Sequence, residues 1–215
     1  TVSTSTDTVI YLWYGNSAIS SSQENITGVW DSNFKGVWHH PDGTTLGALD
    51  STTSNFDGTI TNVVAGTGQI DGGAVLDGAG DYITINNNSN LDTDPMTVSI
   101  WVKPTRASMN NALGMILDKA NVSVGSNDSW YLYFDDRDVV PSVNQLGITY
   151  DGNTALAEWY MDSFFTSDDW VHIVAVLRLG AAVLVYKNAT LQTATSSATG
   201  TGTHVVGTQN LVFGA

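Results

Sequence analysis

Short apolar runs with a two-residue period recur along most of the chain, and strong turn formers separate them. This period is typical of half-buried strands, because successive side chains of a strand point to opposite faces. Turn signals such as Asp77-Gly78, Asp151-Gly152 and Leu179-Gly180 lie between the runs, and no apolar stripe with helical spacing exceeds two turns. The clearest predicted strands are 8–14, 73–76, 82–85, 97–103, 115–118, 130–134, 145–150, 156–164, 170–179, 182–187 and 211–213. We therefore predict an all-β fold, a two-sheet antiparallel sandwich, with residues 193–207 as a long surface loop.

Composition narrows the classes of partner. A length of 215 residues suits one large β domain, and the absence of cysteine excludes disulfides and thiolate metal sites. The 21 acidic residues outnumber the 7 basic residues, so the net charge of -14 repels phosphate and argues against nucleic acid as a partner. No apolar run is long enough to predict a membrane span. The remaining surface is rich in threonine, serine, asparagine and glycine, which is typical of exported β proteins.

Four segments, in order, resemble one known family. Residues 36–60, 72–85, 96–104 and 168–191 are similar to the successive strand patterns of the laminin-G-like, concanavalin A-like jelly-roll superfamily. The positions that carry this resemblance are Trp38, Asp50, Asn55, Asp57, Gly58, Asp77, Gly78, Asp81, Tyr82, Trp101, Trp170 and His172. The resemblance implies a concanavalin A-like β-sandwich over residues 37–215, a fold that hosts many functions.

The two ends of the chain depart from that family. Residues 1–36 form a predicted strand-bearing extension, which resembles the end of a domain of unknown function that often precedes such sandwiches in bacterial and phage surface proteins. The family's usual last strand has no counterpart after residues 211–213, so we expect either that the chain is cut there or that another strand closes the sheet, and the N-terminal stretch could supply that strand within the chain or to a neighbouring copy. An open edge readily pairs with another chain, which makes other copies of this protein a predicted partner. The resemblance also implies an extracellular, cell-surface or virion-surface location.

A polar, turn-rich loop is the candidate metal site. Asp50, Asn55 and Asp57 offer oxygen ligands at short spacing, which suits a structural calcium ion, and the resemblance supports calcium near this loop. The alternative is that each side chain satisfies its own loop backbone as an Asx turn. In a second acidic cluster, 135–138, Arg137 suggests internal ion pairing in a solvated turn rather than calcium.

Alternation in three predicted strands indicates a carbohydrate-binding face. If the tryptophan, leucine and phenylalanine positions of 130–134 and 156–164 point into the core, the intervening tyrosines and carboxylates point outward. Tyrosine rings stack on the apolar faces of sugars, and carboxylates accept hydrogen bonds from sugar hydroxyls. The alternative is an ordinary solvated sheet face, because tyrosine is a good strand former. The predicted ligand-binding residues are Tyr131, Tyr133, Asp135, Glu158 and Tyr160.

Catalysis is not expected. Glycoside hydrolysis needs two closely placed carboxyl groups, and the chain has two glutamates, Glu24 and Glu158, far apart in sequence. No serine-hydrolase or zinc-protease motif is present, and His172 is expected to serve in packing or a hydrogen bond. We therefore predict a non-catalytic binding module, either carbohydrate-binding or adhesive. The alternative is a structural subunit of a virion, pilus or surface layer assembled by strand exchange, and a glycoside hydrolase or lyase is a minor alternative.

Overall fold

The strands of the computed structural model coincide with most of the predicted runs. The structure describes residues 7, 9, 11, 13–23, 25–41, 43–106, 113–120, 129–137 and 144–214. Within these ranges lie two short helices, α1 (Ile26–Val29) and a single 3-10 turn (Ser89–Leu91). The strands, in chain order, are β1 (Gly58–Thr61), β2 (Val64–Thr67), β3 (Gly72–Val75), β4 (Tyr82–Ile85), β5 (Met96–Val102), β6 (Leu113–Asp118), β7 (Trp130–Asp135), β8 (Gln145–Tyr150), β9 (Ala157–Met161), β10 (Val171–Leu177), β11 (Leu184–Lys187), β12 (Thr190–Leu191), β13 (Ser196–Ala198) and β14 (Leu211–Phe213).

Antiparallel pairing sorts the strands into two main sheets and one hairpin. The large sheet has the order β1-β4-β14-β6-β7-β8-β9-β13, and the small sheet has the order β12-β11-β10-β5. Strands β2 and β3 form a separate two-stranded sheet. Apolar side chains from both main sheets join one continuous core. The prediction of a two-sheet antiparallel sandwich is therefore confirmed.

Strict alternation decides which side chains enter this core. Leu132 and Phe134 of β7 are at most 2% exposed, as are Ile173 and Leu177 of β10 on the facing sheet. The intervening residues of both strands are partly exposed. Burying a side chain of this size stabilises the fold by about 1.5–3 kcal/mol, so register is strongly specified in both sheets.

A buried ion pair lies beside the centre of the large sheet. The Lys119 Nζ atom, on a fully buried side chain just after β6, lies 2.8 Å from Asp92 Oδ2. It also donates hydrogen bonds to Asn87 Oδ1 at 2.6 Å and to the Gln209 carbonyl at 3.0 Å. Ser129 Oγ donates to the other oxygen of Asp92. Two hydrogen bonds and one ion pair thus compensate the burial of the lysine charge.

The extension and the predicted surface loop differ from expectation. In the predicted strand 8–14, residues 8, 10 and 12 lie outside the described residues. The described positions Val9, Tyr11, Trp13 and Tyr14 belong to no strand and are 71–90% exposed. The predicted loop 193–207 contains strand β13, which pairs with β9 and forms one edge of the large sheet. The loop prediction is therefore wrong at 196–198, where a serine-rich segment finds backbone partners that its composition did not indicate.

Strand β5 forms one edge of the small sheet. Strand β14 occupies an interior position of the large sheet between β4 and β6, whereas β5, among the described residues, pairs with β10 alone. Val98 and Ile100 of β5 face the core but remain half-buried, although their cross-strand partners Ala175 and Ile173 are fully buried. The core is thus less completely covered at β5 than at the neighbouring strand β10.

Candidate functional site

The outward faces of β7, β8 and β9 bring the predicted ligand-binding residues together. The three strands are neighbours in the large sheet, and their register aligns Tyr133 with Gly147 and Gly147 with Tyr160. One row along, Tyr131 aligns with Thr149, and Thr149 with Glu158. We call this surface the tyrosine face. Its five predicted members are all half-buried: Tyr131, Tyr133, Asp135, Glu158 and Tyr160.

A glycine lets Tyr133 lie flat across the middle of this face. A Cβ atom built on Gly147 would stand 2.1 Å from Tyr133 Cζ and 2.5 Å from its hydroxyl oxygen. The Tyr133 ring therefore covers the backbone of β8 and reaches towards Tyr160 on β9. Tyr131 lies beside it, with ring centroids 5.6 Å apart and a tilt of 43° between the planes. The two adjoining rings, tilted against each other, form the aromatic platform of this face.

The pKa of Tyr133 reflects how closely the other members of the tyrosine face surround it. Burial is the main cause that raises the pKa of its hydroxyl, and together with the neighbouring Tyr131, Asp135, Glu158 and Tyr160 it brings that pKa to about 12. Each of these neighbours disfavours the ionised form of the Tyr133 hydroxyl. Tyr133 is therefore a neutral hydrogen-bond donor and acceptor over the whole physiological pH range.

The two carboxylates of the tyrosine face differ in whether they already have a partner. Arg137 holds Asp135 in a two-point pair, with Nη2–Oδ2 at 2.9 Å and Nε–Oδ1 at 3.0 Å, and this hydrogen-bonded pair lowers the pKa of Asp135. The expected internal pairing by Arg137 is thereby confirmed, while Asp138 of the same cluster lies outside the described residues. Glu158 makes no hydrogen bond or ion pair to any described residue. Its carboxylate is free to accept hydrogen bonds from a ligand.

The candidate calcium loop uses its oxygen atoms internally. Asp50 Oδ1 accepts hydrogen bonds from the backbone N–H groups of Val37 and Thr52, each at 2.9 Å. Its Oδ2 accepts from the Thr52 hydroxyl at 2.8 Å and from the Phe56 N–H at 3.0 Å. Such an arrangement fits loop capping better than metal ligation, because four donors already surround the carboxylate.

The other two members of that loop point to the same alternative. Asp57 Oδ1 accepts from the Asp50 N–H at 2.9 Å, and Asn55 donates its side-chain amide to the Thr53 carbonyl at 3.2 Å. Within the described ranges, no group of three or more histidine, cysteine or acidic side chains could hold a metal ion. Calcium at Asp50, Asn55 and Asp57 stays a prediction.

A second concave surface lies on the opposite side of the sandwich. It is an open cleft of about 590 Å³, lined by Gln69, Trp101, Asp169, Trp170, His172, Asn188 and Ala189. The expectation that His172 serves in packing or a hydrogen bond is confirmed, because its ring stacks on Trp101 and its Nε2 lies 2.9 Å from Ser99 Oγ. Sequence reasoning did not find this cleft, although Trp101 stands on the outward, exposed set of β5.

Comparison with protein families gives one match to most of the sandwich. The model described as the concanavalin A-like lectin/glucanases superfamily matches residues 77–215. Its match does not extend to the N-terminal extension, for which a resemblance to a domain of unknown function was expected. No curated protein matches the chain.

Solved structures with a similar fold are binding domains of bacterial toxins. The binding domain of Paraclostridial mosquitocidal protein 1 has a TM-score of 0.59 and 12% identity, covering 83% of this chain and 42% of that one. The binding domain of botulinum neurotoxin serotype D has a TM-score of 0.52 and 19% identity, covering 77% and 40%. The botulinum neurotoxin DC binding domain, in complex with SialylT, has a TM-score of 0.53 and 15% identity, covering 77% and 39%. This chain therefore spans about two fifths of each of these structures.

Proposed function

Because the chain belongs to the concanavalin A-like lectin/glucanase superfamily, we propose that it is a non-catalytic module that binds carbohydrate through its tyrosine face. The observation that carries this proposal is the Tyr133 ring lying across Gly147 between Tyr131 and Tyr160, with the Glu158 carboxylate beside it. We further propose an extracellular, cell-surface or virion-surface location. Among the described residues, no helix has the length and apolar character that crossing a membrane requires.

The platform suits a sugar ring for two physical reasons. A pyranose presents apolar C–H groups on its faces, and these pack favourably on the faces of aromatic rings. Its hydroxyls lie around the rim, where the Glu158 carboxylate and the Tyr133 and Tyr160 hydroxyls make no hydrogen bonds to other described residues. A few oriented polar groups around an apolar floor are typical of small-ligand sites.

The charges of the face favour an uncharged glycan. Asp135, Glu158 and Asp162 stand on or next to the platform, and the chain as a whole has a net charge of -14. Arg137, the cation beside the face, is already bound to Asp135. A sialylated or sulphated glycan would bring a negative charge towards this surface without an available partner. Neutral hexose or N-acetylhexosamine chains are therefore the proposed ligands.

A glycan array probed with the intact protein tests the proposal, followed by affinity measurements on the best neutral hit. We expect Tyr131→Ala and Tyr160→Ala to weaken binding by at least about tenfold, since each removes part of the platform. Tyr82→Ala is the matched control, because Tyr82 is a 37% exposed tyrosine on β4 of the same sheet. An array with no hits would refute carbohydrate binding, and unchanged affinity in both tyrosine variants would refute the tyrosine face.

A second candidate function follows from the β5 edge. Its core-facing residues Val98 and Ile100 are half-buried, although the core-facing residues of the neighbouring strand β10 are fully buried. A seven-residue edge strand with an unfinished apolar face can accept a strand from another copy. We propose the exposed alternating residues Val9, Tyr11 and Trp13 of the extension as the strand that a neighbouring copy supplies. Such exchange would build the structural subunit or surface layer that the sequence predicted as its alternative.

Analytical ultracentrifugation over a range of concentrations tests the exchange. The wild-type sedimentation coefficient is expected to rise with concentration, whereas Thr97→Lys, on the exposed side of β5, is expected to remain monomeric. Thr59→Lys, at an exposed position of β1 on the edge of the large sheet, is the matched control and should behave like the wild type. A wild-type protein that stays monomeric at every concentration would exclude this function.

A further inference from the structure

We propose that the cleft at Trp101 is a second carbohydrate-binding site, on the face of the sandwich opposite the tyrosine face. This inference rests on the proposed function and extends it from one site to two. The cleft is open to solvent, so it would suit a ligand that lies across the surface rather than one enclosed in a pocket. The proposed ligand is again an uncharged glycan, because the cleft combines an exposed indole with polar groups and an acidic side chain.

The floor of the cleft is an aromatic ring held in a fixed orientation. Trp101 and His172 are cross-strand partners on β5 and β10, and their rings stack with centroids 4.9 Å apart and a 20° angle between the planes. Ser99 Oγ, 2.9 Å from His172 Nε2, fixes the imidazole in turn. Trp101 nevertheless remains 39% exposed. A pre-oriented and exposed indole offers a sugar ring a stacking surface at little cost in side-chain entropy.

The rim of the cleft supplies hydrogen-bonding groups with unused capacity. The Asp169 carboxylate and the Gln69 amide make no hydrogen bond to any described residue. The Oδ1 atom of Asn188 accepts a hydrogen bond from the His172 backbone N–H at 2.9 Å. The side-chain N–H groups of Asn188 can therefore donate to a ligand. These groups offer both donors and an anionic acceptor, which match sugar hydroxyls. Asp169 also disfavours an anionic sugar, because among the described residues no lysine or arginine lines the cleft.

Two sites on opposite faces would let one molecule bridge two glycan chains. The inner faces of the two sheets share one core. The outer face of β7, β8 and β9 in the large sheet therefore points away from the outer face of β5 and β10 in the small sheet. One glycan chain cannot readily occupy both faces of the sandwich at once. Binding stoichiometry therefore separates a protein with two sites from a protein with one.

Isothermal titration calorimetry with a neutral oligosaccharide of the type that the array selects is the decisive experiment. We expect two oligosaccharides per wild-type chain. Trp101→Ala and Asp169→Asn should each remove one binding event or weaken it by at least about tenfold, and Asp169→Asn keeps the shape of the side chain in case Trp101→Ala does not fold. The equally exposed aromatic variant Tyr82→Ala should retain both events.

Each other outcome overturns a specific claim. One binding event that Tyr131→Ala or Tyr160→Ala removes, and Trp101→Ala leaves unchanged, would overturn the cleft and leave the proposed function standing. One event that Trp101→Ala alone removes would support the cleft and overturn the tyrosine face. No binding by the wild-type protein to any neutral glycan of the array would overturn the proposed function and this inference together.

Discussion

Replacing Gly147 by alanine tests the geometry of the tyrosine face at its centre. The added Cβ would stand 2.1 Å from Tyr133 Cζ, whereas non-bonded carbons approach to about 3.5–4.0 Å. The ring must therefore retreat by about 1.5 Å or more from the backbone of β8. The atoms met are at the far end of a flexible side chain, so Tyr133 can swing outward without disturbing the core. The substitution should remove the platform while the sandwich stays folded.

Gly147→Ala should change the free energy of unfolding little but lower the pKa of Tyr133 clearly. Alanine in a strand is favoured over glycine by about 0.5–1 kcal/mol, which offsets much of the ring burial that is lost, so we expect the free energy of unfolding to change by less than about 1 kcal/mol. The pKa of Tyr133 should fall from about 12 towards 10.0, because burial is the main cause of its elevation. A tyrosine with a raised pKa in the folded state contributes stability that is lost as pH rises from 10.0 to about 12. The variant should lose less stability than the wild type in that window.

Nuclear magnetic resonance on tyrosine-labelled protein measures this pKa directly, with Tyr133→Phe to assign the signal. Gly114→Ala is the matched control, because a Cβ at this glycine of β6 meets no atom within 4 Å. We expect it to leave the Tyr133 titration unchanged and to bind glycan as the wild type does. A folded Gly147→Ala variant with an unchanged Tyr133 titration would show that the ring does not lie over β8.

Three further predictions concern groups around the site and the core. Lys119→Met leaves the Asp92 carboxylate buried beside a hydroxyl alone and should lower the free energy of unfolding by about 3–5 kcal/mol in denaturant titrations, with partial recovery on adding Asp92→Asn; equal losses in both variants would contradict this. Arg137→Gln should raise the pKa of Asp135 in an NMR titration and leave the melting temperature almost unchanged, because the Arg137 side chain is 54% exposed; an unaltered Asp135 titration would count against the pair. A chelator should leave the melting temperature unchanged, since four donors surround the Asp50 carboxylate, and a fall would instead show that a bound metal ion stabilises the fold.

The tyrosine face could be predicted because its signal is local. In 130–135 each outward residue is next to a large apolar residue, so alternation alone separated Tyr131 and Tyr133 from Leu132. Strands β7, β8 and β9 are consecutive in the chain and adjacent in the sheet, so chain order was enough to place Tyr160 near Tyr133. The role of Gly147 could not be predicted, because it depends on the direction in which the Tyr133 ring lies.

The features that the sequence did not indicate depend on long-range contacts. Lys119 has partners 32 and 90 residues away, Asn87 and Gln209, so no local pattern marks it as buried. The cleft likewise combines residues from the β2–β3 turn, β5, β10 and the turn after β11. Strand β13 was missed because exposed serine and alanine carry no apolar alternation, and its pairing with β9 depends on backbone hydrogen bonds.

The interior position of β14 has a consequence for biosynthesis. Strands β4 and β6 belong to one sheet but are joined through Leu211–Phe213, which pairs with Ile83–Ile85 on one side and with Leu117–Asp118 on the other. A nascent chain that has emerged up to residue 210 therefore has two separate ribbons with facing, unsatisfied edges. At about 5–20 residues per second, synthesis of the chain between β6 and β14 takes several seconds. The sheet closes only when the three residues of β14 arrive, so completion of the sandwich is a late, long-range event.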